Sequence, residues 1–201
     1  MVIKKIQIEL AILVFLIINI FLSYKIDVSI YSYFSKLNYG LGSTYLKEFF
    51  IAITKLGDSL WYFLIIISLF LVAFICKKIK FLSFKNYSDV KNFSFFSFGY
   101  LLIVGLTTQV LKHVIGRPRP NHTDFSEGVA FNFFSTDSAF HSFPSGHSST
   151  IIAVVLIFGL LFPGLRIFFY FFGFLIALSR VVVGAHFLTD IVAGTLVAII
   201  L

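Results

Sequence analysis

Long stretches nearly free of charge limit what this chain can fold into more than any other feature. Ser59–Cys76 holds 18 uncharged residues and Asn92–Leu111 holds 20. A helix rising 1.5 Å per residue crosses the ~30 Å hydrocarbon layer of a bilayer in about 20 residues. Ser148–Leu165 is a further apolar run, turned at its end by Pro163-Gly164. Ile167–Ala185 is another, with Arg180 inside it, and Phe187 begins the last. That one reaches Leu201 after 15 residues, so the final helix is expected to be cut short. At the N-terminus, 15 uncharged residues separate Glu9 from Lys25. Lys4 and Lys5 precede them, as in a signal peptide, but no small-x-small cleavage site follows, so this segment reads as an uncleaved first span. Composition agrees: 59% of residues are hydrophobic and 12% charged, the balance of a multi-span membrane protein. The expected fold is all-α, a single domain over residues 1–201 built as an integral membrane six-helix bundle.

Between Lys25 and Asp58 the chain is mixed. Leu46, Phe49, Phe50 and Ile53 share one helical face, with Lys47, Glu48 and Lys55 away from it. This predicts an amphipathic helix. It either packs on the bundle or lies in the membrane interface and guides a lipid inward.

The net charge of +7 does not point to nucleic acid, because many of the lysines flank apolar runs. With six spans, Lys4, Lys5, the lysines at 77, 78, 80, 85 and 91, and Arg166 share one side. Besides the residues of the charged motifs, those eight basic residues face four on the other side, Lys25, Lys36, Lys47 and Lys55. The heavier side is expected in the cytoplasm, which puts the loop Gly116–His147 and the turn Arg180–His186 outside together. The single cysteine, Cys76, allows no intrachain disulfide and no cysteine-rich metal site.

Three charged stretches meet on that outer side. Lys112-His113-Val114-Ile115-Gly116-Arg117-Pro118-Arg119-Pro120 ends a helix with prolines that hold two arginines extended. Guanidinium forks and an ammonium suit a phosphate dianion, although alone such a cluster reads better as a lipid-headgroup contact. Pro144-Ser145-Gly146-His147-Ser148 sits at a helix start, where backbone N–H groups bind anions or Ser145 simply caps the helix. Ser179-Arg180 precedes His186 and Asp190, four residues apart and on one face if helical. A carboxylate on one imidazole nitrogen leaves the other free to attack, the arrangement of an activated nucleophile; a structural ion pair is the alternative.

In order, these read Lys-x6-Arg-Pro, Pro-Ser-Gly-His and Ser-Arg-x5-His-x3-Asp, as Lys112…Arg119-Pro120, Pro144–His147 and Ser179-Arg180…His186…Asp190. The set resembles the type 2 phosphatidic acid phosphatase (PAP2) family, which shares its site with bacterial acid phosphatases and vanadium haloperoxidases. The resemblance spans Lys112 to Asp190. It implies that His186 is the nucleophile, forming a phosphohistidine, with Asp190 orienting it. His147 would protonate the leaving alkoxide and then activate water. Lys112, Arg119 and Arg180 would bind the phosphoryl oxygens, with Ser145 and the Gly146 amide completing the cradle. Arg117-Pro118 duplicates Arg119-Pro120, and only spacing selects Arg119. His113, His122 and His141 are expected to be loop or surface residues.

No cofactor or metal is implied, since fixed cations and amides can carry the transition-state charge. A single nearby carboxylate is also a poor cage for a hard cation. The expected enzyme is a metal-independent membrane lipid phosphatase of the bacterial inner membrane, its site facing the periplasm or exterior. Its partners would be a lipid phosphate substrate and membrane lipids, with no nucleic acid. Undecaprenyl pyrophosphate, phosphatidylglycerophosphate, phosphatidic acid and lipid A phosphates are the substrates this resemblance brings in. Asp124, Glu127 and Asp137 would repel a highly anionic headgroup unless they point away. The competing expectations are lipid-to-lipid phosphotransfer at the same site, and a non-catalytic transporter or binding protein with a basic pocket.

Overall fold

The computed structural model describes residues 24–39, 43–79, 87–125 and 129–201. The expected first span lies outside these residues. The described residues form seven α-helices and four short 3-10 turns, with no strand. The helices are α1 (Tyr24–Tyr39), α2 (Ser43–Thr54), α3 (Ser59–Ile79), α4 (Tyr87–Ile115), α5 (Gly146–Leu161), α6 (Arg166–Val182) and α7 (Leu188–Ile200). The expected count of six is therefore corrected to seven among the described residues. The unforeseen helix is α1, drawn from the mixed stretch after Lys25.

Helix α1 was hidden by a charge in its packed stripe. Asp27, Ile30, Tyr31 and Phe34 recur at helical spacing. Ile30 and Phe34 pack against the buried cluster of Ile151, Val155 and Ile176, whereas Ile26 and Tyr33 are exposed. Asp27 occupies an inward position and is buried. A carboxylate where an apolar residue is expected breaks the periodic signal.

Helix α5 is the central column. It packs against α4, α6 and α7, while α3 lies on α4 and α2 lies on α6. Leu101, Val104, Ala153, Val154, Val197 and Ala198 form one buried cluster between α4, α5 and α7. Small residues let these backbones approach closely, which is how helices associate where lipid supplies no hydrophobic drive. A Cβ on Gly194 would lie 2.4 Å from the Ser145 carbonyl oxygen, so only glycine allows α7 to reach the start of α5 there.

The outward surface is apolar. Leu60, Trp61, Leu64 and Ile65 on α3, and Ile167, Phe168 and Phe171 on α6, are all exposed. A soluble protein does not present such a band, and a lipid-facing bundle does. By length and composition, Ser88–His122 and Pro163–Val182 can each cross a membrane. Tyr45–Gly57 and Ser59–Ile75 together make a third candidate, bent by 42° at Asp58. Gly146–Leu161 and Leu188–Ile200 are shorter apolar helices.

The amphipathic helix expected near Thr44–Leu56 is α2. Phe50 and Ile53 are half-buried, as is Lys47, while Leu46 and Phe49 are exposed. Its apolar residues are thus shared between the bundle and the outer surface. Helix α6 stops at Val182, three residues short of the expected Ala185, because Gly184 turns the chain with φ +74°.

Candidate active site

The end of α4 sets the first cation and reverses the chain. Gly116 closes the helix with φ +57°, its N–H donating to the Lys112 carbonyl at 3.0 Å. A Cβ there would fall 1.6 Å from the Asn132 carbonyl oxygen, so no other residue fits. The next residues run extended, and the two arginines part company. Arg119 reaches a cavity, its Nε donating to the Ser138 carbonyl at 3.0 Å. Arg117 turns into the protein and is 1% exposed. Its Nη1 donates to Asp190 Oδ1 at 2.6 Å and to Thr189 Oγ1 at 2.7 Å, and its Nη2 to Asp27 Oδ2 at 2.7 Å. Its guanidinium carbon lies 4.3 Å from the centroid of the Phe187 ring.

The second stretch opens α5. Ser145 is completely buried and caps the helix, accepting the Ser148 N–H at 3.4 Å and the Ser148 hydroxyl at 3.0 Å. Its hydroxyl is engaged as a cap behind the cavity, while Gly146 and His147 line the cavity itself. The Ser145 N–H donates to the Asp190 carbonyl at 2.9 Å, which joins this turn to α7.

The third stretch is the tight turn after α6. The Arg180 carbonyl accepts the N–H groups of Ala185 at 3.0 Å and His186 at 3.2 Å, folding His186 back beside Arg180. His186 precedes α7, and Asp190 lies in its first turn. Asp190 Oδ2 accepts the Phe187 N–H at 2.8 Å and the Ser142 hydroxyl at 2.5 Å. His186 Nδ1 stands 3.6 Å from the same Oδ2 and 3.5 Å from the Ser142 hydroxyl.

Lys112, Arg119, Gly146, His147, Arg180 and His186 line one cavity of about 300 Å³. Residues from three separated stretches are thereby brought together; Asp190 and Ser145 stand behind it. The cavity's cations are bonded only to neutral oxygens. Lys112 Nζ donates to the His141 carbonyl at 2.6 Å, and Arg180 Nη1 to the Thr54 hydroxyl at 3.1 Å. Arg180 Nε is buried with no partner among the described residues. None of the three cations is ion-paired with a carboxylate among the described residues. Such a pocket is electrostatically incomplete without an anion. No cluster of metal-ligating side chains occurs among the described residues.

Burial favours the neutral form of both imidazoles. Burial lowers His186 to about 3, against the opposing pull of its Asp190 contact. His147, one residue ahead of the apolar run, is lowered to about 4 by burial and then by the Arg180 charge. A neutral His186 has a lone pair to attack with. A phosphate dianion in the cavity would cancel the surrounding positive charge and favour protonation of His147.

Several site residues carried no sequence signal. Ser142 is one serine among many, yet it bridges His186 and Asp190. Gly57 and Asp58, at the bend between α2 and α3, also line the cavity. A Cβ on Gly57 would meet the Cβ and Cδ2 of His147 at 3.0 Å, so this bend is seated on the ring. Of the remaining histidines, His141 and His113 pack ring to ring at 4.3 Å, and His122 is exposed. Asp137 accepts the Ala139 N–H at 2.9 Å and caps a turn.

Fold and site together define an all-helical protein with an apolar outer surface and a cation-lined cavity backed by a histidine–aspartate pair. The chain belongs to the PAP2 superfamily, whose family model matches residues 94–201. It is 37% identical over 151 residues to a lipid A 1-phosphatase of Rhizobium etli, covering 74% of this chain and 65% of that relative. It is 47% identical over 92 residues to a lipid A 1-phosphatase of Rhizobium johnstonii, covering 45% of this chain and 37% of that relative. The matches thus span less than two thirds of either relative. Among solved structures, a transmembrane PAP2-type phosphatidylglycerolphosphate phosphatase from Bacillus subtilis superposes with a TM-score of 0.65 at 21% identity. That match covers 95% of this chain and 90% of the other. Aquifex aeolicus LpxE superposes with a TM-score of 0.51 at 22% identity, covering 84% and 89%. At these identities the structures establish a shared fold.

Proposed function

We propose that this protein is a metal-independent membrane phosphatase that removes phosphate from a lipid headgroup. The observation that carries this reading is the single cavity lined by two histidines and by three cations that have no carboxylate ion-pair partner among the described residues. His186 Nε2 attacks phosphorus, and the bond from phosphorus to the lipid oxygen breaks. His147 gives its proton to the departing alkoxide. Water then attacks the phosphohistidine, His147 takes the proton released, and the phosphorus–nitrogen bond breaks to free phosphate and neutral His186. Lys112, Arg119, Arg180 and the Gly146 amide stabilise the charge spread over the phosphoryl oxygens. Asp190 fixes the proton on His186 Nδ1 and stabilises the imidazolium character that develops as Nε2 bonds to phosphorus.

The cavity lies where the charged ends of apolar helices meet, at headgroup depth, so the substrate arrives laterally within the membrane. The exposed Leu46 and Phe49 of helix α2 support a position for it in the interface beside this entrance. The lysine distribution supports a cytoplasmic-membrane protein with its cavity facing outward. Both curated relatives are lipid A 1-phosphatases, which makes the anomeric phosphate of a lipid A-type glycolipid the first substrate to test.

Phosphate release by the purified protein is measured on lipid A, undecaprenyl pyrophosphate, phosphatidylglycerophosphate and phosphatidic acid, with His186→Ala as control. Release from at least one lipid, reduced by roughly 10⁴-fold or more in the variant, is expected. Equal release by both proteins would refute the mechanism.

A further inference from the structure

A carboxylate that never reaches the cavity is built into the back of the site. Asp27, on α1, accepts Arg117 Nη2 at 2.7 Å, the Thr189 N–H at 3.1 Å and the Thr189 hydroxyl at 2.5 Å. Thr189 lies in the first turn of α7, so Asp27 satisfies a donor that the helix itself leaves open. Arg117 then spans from Asp27 to Asp190 Oδ1. All three charged side chains are at most 1% exposed.

Three dry charges are a costly way to hold helices together, and apolar side chains of similar volume commonly do it as well or better. What the trio supplies is direction and charge. The Arg117 fork occupies Asp190 Oδ1 and leaves Oδ2 facing His186. Because one guanidinium is shared by two carboxylates, the trio keeps a net charge of −1. Asp190 therefore retains negative character towards the imidazole.

We propose that Asp27 and Arg117 are positioning residues of the reaction, acting on His186 through Asp190. Helix α1 is then part of the catalytic apparatus, although it lies outside the family-matched residues 94–201. This inference rests on the phosphatase reading above and goes beyond it.

The test uses the full chain and whichever lipid phosphate the wild type hydrolyses. Asp27→Asn preserves shape and removes the charge that shares Arg117. Its kcat should fall about 10- to 100-fold, the scale of a small misplacement of reacting groups, with KM held within about twofold. The paired variant Asp27→Leu/Arg117→Met removes both charges and leaves apolar packing. With only Asp190 left without its cation, it should melt above Arg117→Met yet remain impaired in kcat to at least the same degree. A stable pair with wild-type kcat would show the trio to be scaffold only and overturn the proposal; so would Asp27→Asn with kcat within about threefold of wild type.

If the wild type releases phosphate from no lipid, the phosphatase reading fails by itself. The positioning role is then decided by ¹⁵N NMR of the histidines. The proposal expects His186 protonated on Nδ1 in the wild type and a mixture of tautomers in Asp27→Asn. An unchanged tautomer would overturn it.

Discussion

The two sides of His186 carry opposite arrangements of charge. In front, Lys112, Arg119 and Arg180 face a cavity and bond to neutral oxygens alone. Behind, each charged side chain has an oppositely charged partner: Arg117 lies between Asp27 and Asp190, and Asp190 accepts from Ser142 and Phe187 as well. Arg117 and Arg119 are separated by one proline and belong to different sides. Ion-pair partners for the front cations must come from what enters the cavity, whereas the rear carboxylates have their cation, Arg117, within the fold. On the proposed reading, identical side chains serve binding in one place and orientation in the other, according to which way the backbone sends them.

The sharpest way to break this contrast is to remove each arginine in turn. Arg119→Gln should lower kcat/KM by roughly 10²- to 10³-fold, as loss of a transition-state donor does, and leave the melting temperature almost unchanged. Arg117→Met strands two buried carboxylates and should cost about 3–5 kcal/mol, seen as a melting temperature lower by roughly 10 °C. Equal effects of the two variants on stability would abolish the distinction.

A smaller effect is expected at the bend that roofs the cavity. Gly57→Ala would press a methyl against the His147 side chain at 3.0 Å, so the ring must shift by a few tenths of an ångström. A fall in kcat of about 3- to 10-fold is expected, with little change in KM, because His147 handles protons and the phosphate ligands are untouched. The front–rear contrast also makes a null prediction for pH. With its value lowered to about 3, His186 is in its neutral, nucleophilic form throughout mild acid and neutrality, and protonation blocks attack only near pH 3. A ¹⁵N NMR titration of the unliganded protein should show no change at His186 between pH 5 and 8. A midpoint near 6.5 would mean that the imidazole is solvated and that the site is open at the rear.

The front of the site was legible in the sequence because charge stands out in apolar surroundings. Lys112, Arg119, His147, Arg180 and His186 are conspicuous at helix ends, and the structure gathers them around one cavity. The rear was not legible. Asp27 is 163 residues from Asp190, in a stretch too mixed to read as a helix, and its meaning depends on Arg117 turning inward. Ser142 has no sequence mark at all. The apolar runs foretold α3 to α7 within a few residues of their ends. They were silent about α1, whose inward face is interrupted by the very carboxylate that gives that helix its place in the site.

The hydrogen bond from the Ser145 amide to the Asp190 carbonyl has a mechanical corollary. It rivets the start of α5 to the first turn of α7, and Gly194 lets the two backbones touch one turn further on. The elements carrying His147 and His186 share this joint at the end of the central column. A bilayer that thickens, thins or bends would strain the outer helices first, and the span between the two rings would be the last dimension to change.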